Sequence, residues 1–266
     1  MDWLTSLPAL VLVAGWLLLA LLVAAVARVG VRALVPATEQ DRVPQIAMPL
    51  MPTLGAAFAI FAALSLASEA GYLRAAEGLV SDEAAAASRL AWAATSPRIQ
   101  PEPIHTALRD YLQTTRAKEW SGAAAASGDD PSTARAVAQL ERSVRTEAAR
   151  PELGSPASTE LLVSLDGVTT SRRARIAAAS RDVPSLYVVT LVVSGLALIV
   201  NAGALTFRSS LRTSLLITGI GSVVGLSLAL LFALSAPWNG PFIVSGHPLD
   251  AVVQDLKSGF FHSGPS

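Results

Sequence analysis

The sequence predicts an all-α membrane protein with four transmembrane helices, in two pairs, flanking a helical extramembrane domain. Three observations predict it. Hydrophobic residues make up 52% of the 266 and charged residues only 15%, with a mean hydropathy of +0.49, whereas about a quarter charged is usual for soluble domains. Of the 40 formally charged Asp, Glu, Lys and Arg side chains (20 basic and 20 acidic), 29 fall within residues 69–182. On each side of that stretch lie two long apolar runs. The chain therefore divides into a first transmembrane pair (1–68, spans about 8–28 and 47–68), a helical soluble insert (69–182), a second pair (183–235, spans about 184–206 and 213–235) and a C-terminal tail (236–266).

The first apolar run covers residues 9–27 and ends at Arg28 and Arg32. A helix rising 1.5 Å per residue needs about 20 residues to cross about 30 Å of hydrocarbon. The start carries Asp2 and no basic residue, unlike a secretory signal, so the run is read as a retained span. Trp3 is placed as an interfacial anchor and Trp16 as a packing residue. The link VPATEQDRVPQ reads as a surface loop. The second run, 43–68, has Pro49 and Pro52 near its start, where a missing backbone donor costs least. Its thin polar content includes Thr53 and Ser65. These either pack against neighbouring helices as small residues or face a pore.

Helix formers dominate from Ser68, in SEAGYLRAAEGLVSDEAAAASRLAWAA, with Gly71 or Gly78 as a bend. TSPRIQPEP breaks this helix. A second starts near Pro103, with Ile104, Leu108, Tyr111 and Leu112 on one stripe. SGAAAASGDD reads as a flexible loop. Asp130-Pro131 is an N-cap and first-turn signal, and Val137, Leu140 and Val144 mark the buried face that follows. Ser155-Pro156 repeats that signal before a fourth helix carrying Leu161, Leu165 and Val168. Alanine-rich faces bury little area each, at about 25 cal/mol per Å², so the bundle is expected to pack on itself and on further copies. Arg172, Arg173, Arg175 and Arg181 then form a basic cluster before the third span. They serve either as a lipid-facing anchor or as an electropositive vestibule that attracts anions.

In the third run, 183–207, Asn201 is the strongly polar side chain. It either hydrogen-bonds a neighbouring helix or contributes to a passage. In the fourth, Gly221 and Gly225 form a GxxxG pair suited to close helix packing. The tail holds a tight-turn signal at Asn239-Gly240, an extended apolar piece at 242–244, and a short helix opened by Pro248. Leu249, Val252, Val253 and Leu256 form that helix's apolar face, which docks on the bundle or lies at the interface.

With a net charge of zero there is no basic face, and no nucleic-acid partner is expected. The absence of cysteine excludes disulfides, thiolate metal sites and a cysteine nucleophile. His105, His247 and His262 are scattered without metal-pair spacing. His105, at a helix start, and His247, beside a turn, are read as surface or cap residues. No enzyme activity, metal or cofactor is expected. The positive-inside rule divides: Arg28, Arg32, Arg42, Arg208 and Arg212 place the short links inside, while Arg172, Arg173, Arg175 and Arg181 place the insert there.

Three segments together resemble the bestrophin-like family of bacterial multi-pass membrane proteins of unassigned function. They are SEAGYLRAAEGLVSDEAAAASRLAWAA, LLVSLDGVTTSRRARIAAASRDVP and the tail SAPWNGPFIVSGHPL. In the tail, Pro237, Trp238, Asn239, Gly240, Pro241 and Phe242 occupy the place of the family's Pro-Phe-x-Gly turn. Trp238 stands where the family often has Phe, and Ser235-Ala236 replaces an acidic-Arg pair. The resemblance implies kinship with bestrophins, which are oligomeric chloride channels with four spans and a helical cytosolic part. A bestrophin-type neck of repeated bulky residues and a calcium-binding acidic cluster are not found in the sequence. The expected function is an oligomeric anion-conducting channel, multi-pass in the cell membrane, whose partners are the lipid bilayer, further copies of the chain and small anions. The alternative is a non-conducting scaffold or sensor whose helical domain binds a partner.

Overall fold

The structure is a computed structural model that describes residues 9–36, 38–120, 123–128, 130–181, 185–206, 211–235, 237–238 and 242–262. The regular structure among these is helical: α1 (Ala9–Leu34), α2 (Val43–Ala93), α3 (Pro101–Lys118), α4 (Ala123–Ser127), α5 (Pro131–Ala148), α6 (Ser155–Ala179), α7 (Ser185–Thr206), α8 (Leu211–Leu234), α9 (His247–Ser258) and a 3-10 turn, Phe260–His262. The described residues divide into two compact units. One draws on 1–72, 182–236 and 240–242, the other on 73–181, 237–239 and 243–266.

The first unit contains α1, the N-terminal part of α2, α7 and α8. Its core is small, with Ala20, Ala24, Phe58, Leu191, Leu198, Ile199, Val224 and Leu231 at its centre. The longer aliphatic side chains point outward: Leu18, Val29, Met48, Leu64, Leu186 and Val223 are each 60% or more exposed. Large contiguous apolar surface is unfavourable in water but suits hydrocarbon. Three helices carry stretches long and apolar enough to cross a membrane, namely 13–34 in α1, α2, and α7. In α8 the apolar stretch among the described residues is Thr218–Leu234, which is shorter. Of the four spans expected, three are matched by length and composition among the described residues.

Helix α2 corrects two expectations. It begins at Val43, so Pro49 and Pro52 lie inside it rather than in its first turn. Each deprives the carbonyl four residues earlier, of Gln45 and Met48, of its ladder donor. The helix also runs through Gly71 and Gly78 without a break, for 51 residues, or about 76 Å at 1.5 Å per residue.

The second unit is a bundle in which α3 packs on α5, α5 and α4 pack on α6, and α9 packs on α3. Alanines 76, 87 and 91 of α2, and Ala94 just after it, are fully buried in its core beside Leu90, Leu108, Leu112 and Leu161. Their small side chains let backbones approach closely. Asp130 caps α5, its carboxylate accepting from the Ser132 (2.9 Å) and Thr133 (3.2 Å) amides. The bond from the Ser132 side chain, then the amides, hold its carboxyl below the usual range. The start of α6 differs from expectation, because Gly154 is the capping position and Ser155 is already helical. The stretch read as a flexible loop contains α4. Residues 242–246 are irregular, not helical. Helix α9 docks on the bundle, burying Leu249, Val252, Val253 and Leu256, and stops at Gly259, whose φ of +75° is the left-handed conformation glycine adopts without a Cβ clash.

Candidate functional site

In the first unit the polar residues of interest are used between helices. Asn201, buried in α7, donates its amide N–H to the Ala47 carbonyl of α2 at 3.0 Å and lies 3.5 Å from the Met51 sulfur. A carbonyl has two lone pairs, so Ala47 accepts this bond besides its place in a helix loosened by Pro49 and Pro52. Ser65 is buried on the same helix and Thr53 is exposed. The structure does not bring Thr53, Ser65 and Asn201 together by any direct contact. Replacing Asn201 with Ala is expected to lower stability by about 0.6–2 kcal/mol, the range for interhelical side-chain bonds in membranes. Unfolding in mixed micelles would check this.

The glycine pair of α8 packs inside the chain. An added Cβ at Gly225 would stand 2.9 Å from the Trp16 carbonyl oxygen and 3.1 Å from Leu17 Cα of α1. At Gly221 the nearest atoms, the Ala20 oxygen and Leu21 Cδ2, lie at 3.7 Å. Trp16 stacks on Phe232 of α8, with ring centroids 5.1 Å apart. The small residues thus seat α8 on α1 of the same copy.

The second unit holds a charged cluster that the sequence reading missed. Arg175 is fully buried, which corrects its assignment as a lipid-facing or anion-attracting residue. Its Nε donates to Glu83 at 2.6 Å and its Nη2 to Glu119 at 3.3 Å. Both carboxylates are fully buried. Arg172, largely buried, pairs with Glu119 at 2.5 Å and donates to the Gly128 carbonyl at 3.2 Å. Tyr111 donates its hydroxyl to the other Glu83 oxygen. The physical reason is charge balance, since an unpaired guanidinium cannot be buried but two arginines against two carboxylates can. Arg173 and Arg181 remain on the surface.

The electrostatics follow from burial. Desolvation, the largest single influence, would lower the Arg175 pKa, but Glu83, with Tyr111 and Glu119, together outweigh it and the net shift is upward. Burial, and then Glu83, hold the Tyr111 phenol well above its usual range. The cluster's groups come from α2, α3, the residue after α3, and α6, so it ties three long helices at one point.

The tail closes over the same region. Trp120 donates its indole N–H to the Val244 carbonyl at 3.0 Å and meets Trp238 edge to face, centroids 5.7 Å apart. Both the Arg175 and Arg116 guanidinium groups lie over the Trp120 ring, at 5.7 and 4.5 Å. Arg116 also grips Asp250 of α9 with two bonds, of 3.0 and 3.1 Å. The Val244 amide donates to the Pro237 carbonyl at 2.8 Å. Of the tail turn, Trp238 is buried and Phe242 is exposed; Asn239, Gly240 and Pro241 lie outside the described residues. His105 is a further correction. It is buried rather than a surface or cap residue, because its ring reaches the Ala91 carbonyl of α2 at 2.9 Å. No group of three His, Asp or Glu placed to hold a metal occurs among the described residues. A cleft of about 350 Å³ is lined by Glu102, Thr106, Asp110, Gln139 and Ser143. Pro103 and Ala107 also line it, and most of its wall surface is apolar.

The missed cluster had a signal in the register. Leu161, Leu165, Val168, Arg172 and Arg175 continue one stripe at alternating spacings of 4, 3, 4 and 3, as do Ala76, Val80, Glu83, Ala87 and Leu90. A charge standing in a core position of a helix calls for an opposite charge in the facing stripe.

Compared with known families, residues 18–249 match the model of the bestrophin-like domain. The comparisons with curated proteins and with solved structures find no match.

Proposed function

The chain belongs to the bestrophin-like family and carries helices apolar enough to cross a membrane, and from that premise we propose that it is a multi-pass protein of the cell membrane whose copies assemble into an anion-conducting channel. The family membership carries the reading. The role is one of passage, with no catalytic step and no cofactor.

Four crossings are supported by the course of the chain. The insert and the tail share one core: Trp120 bonds Val244, and Arg116 bonds Asp250. The chain that leaves this unit after Arg181 is back in it by Pro237. A segment that leaves and returns on one side of a bilayer crosses it an even number of times. Helices α7 and α8 therefore cross as a pair, and α1 and α2 form the other. Within one copy the polar Asn201 is occupied by α2 and the glycines of α8 by α1, so a path for ions runs between copies.

The test is chloride flux from liposomes holding the purified full chain, against empty vesicles. Flux above the empty-vesicle baseline, rising with the number of copies per vesicle, is the expected result. Folded protein that passes no chloride in either gradient direction would instead favour the non-conducting scaffold.

A further inference from the structure

The end of the described chain is held by an unusual contact. Phe261 is 2% exposed and packs edge-on against Trp92 of α2, with centroids 5.2 Å apart. It also lies 6.0 Å from the His105 ring. His262 follows it, its ring perpendicular to that of His105 at 5.0 Å. His105 is 4% exposed, and its Nε2 faces the Ala91 carbonyl at 2.9 Å. Because a carbonyl only accepts, Nε2 carries the proton and Nδ1 is bare. Nδ1 is buried and without a hydrogen-bond partner.

We propose that His105 and the terminal turn Phe260–His262 form an acid-released latch, in which neutral His105 accepts the turn and protonated His105 expels it. A second proton on His105 would have to sit on Nδ1. That creates three penalties: a buried N–H with no acceptor, a cation kept from water by the buried Phe261, and that cation beside the His262 imidazole. Lifting the turn away opens the site to water and removes all three penalties. The ionisable groups acting on His105 are His262, from the turn, and Glu102, from α3. Helix α2 offers the Ala91 carbonyl. Glu102 favours the cation, but its side chain is 74% exposed and lies 3.7 Å from His262, so water screens it.

The direction in pH follows. Burial, first, and His262 hold the latched His105 below its ordinary 6.5. With the turn detached, the burial and the His262 neighbour it supplies are relieved, and the ring moves back up toward that ordinary value. Between the two, the detached form binds more protons, so the latch is at full strength above pH 6.5 and weakens as pH falls toward the latched pKa. This device stands apart from the conduction reading, and its test does not use flux.

The experiment is amide hydrogen exchange on the full chain in nanodiscs, corrected for intrinsic rate, comparing residues 259–262 with α5 of the same molecules. One coupled proton opens the latch about tenfold more per pH unit across this window, so that acceleration is expected in the turn while α5 stays protected. His105→Gln cannot be charged, and its turn is expected to exchange at one rate throughout. Phe261→Ala is expected to leave the turn unprotected at every pH, with α5 unchanged. A wild-type turn whose corrected exchange does not vary with pH overturns the proposal. So does a pH step of wild-type size in either variant, or a step that α5 shares.

Discussion

Replacing Arg175 with Met is expected to destabilise the second unit by about 3–5 kcal/mol, the cost of removing one partner from a buried ion pair. The methionine fills the volume, so little of the loss comes from a cavity. The loss comes from Glu83 and Glu119, whose carboxylates are fully buried and keep only Tyr111 and Arg172 as partners. Arg175→Lys should fall between, because a single ammonium cannot reach two carboxylates as a planar guanidinium does. Arg173→Met, on the exposed face of the same helix, is expected to change stability by less than about 0.5 kcal/mol. Urea unfolding of the full chain in detergent, followed by exchange in α3 and α6, would read all three. An Arg175→Met protein as stable as Arg173→Met would mean the cluster is not formed.

The second large effect is in the first unit. Gly225→Leu places a branched side chain where even a Cβ would press on the Trp16 oxygen and Leu17 Cα. Those are backbone atoms, so they cannot rotate away. Helices α1 and α8 must part, at a cost of about 1–3 kcal/mol or more for overpacking. Gly221→Ala, with its nearest neighbours at 3.7 Å, makes ordinary contact, and Gly219→Ala meets nothing within 4 Å. Both are expected to melt with the wild type or slightly above it, since alanine favours the helix. The order of the three melting temperatures in one detergent is the check. Equal temperatures for Gly225→Leu and Gly219→Ala would remove the argument for close α1–α8 packing.

Much of the fold is legible because it depends on local periodicity and on solvent. Uncharged runs such as 43–68 and 183–207 can satisfy their surroundings only in hydrocarbon, and Asp130-Pro131 states the start of α5 in two residues. Where the sequence misleads, the cause is a long-range partner. Arg175 reads as one of four basic residues beside a span until Glu83, 92 positions away, is known to face it. His105 reads as a helix-start residue until the Ala91 carbonyl comes within 2.9 Å. Gly221 and Gly225 announce close packing but not with what, and the partner α1 is fixed only by the fold. Pro49 and Pro52 suggest a helix start by the rule for isolated proline. Helix α2 instead begins at Val43, and Asn201 of α7 bonds its Ala47 carbonyl in the turn before Pro49 and Pro52 weaken the ladder.

The split origin of the second unit sets an order of synthesis. Glu83, Tyr111 and Glu119 are made before the arginines that neutralise them, and α3 is made long before Trp238, Val244 and α9, which cover it. A nascent chain that has completed α6 still shows Trp120 and the bare side of α3 to solvent. It stays so while α7 and α8 are translated. Closure then comes only with residues encoded after α8. Any chain arrested before that point carries an exposed aromatic face that chaperones and proteases recognise. Burial of Trp120 therefore reports that both later helices have been made.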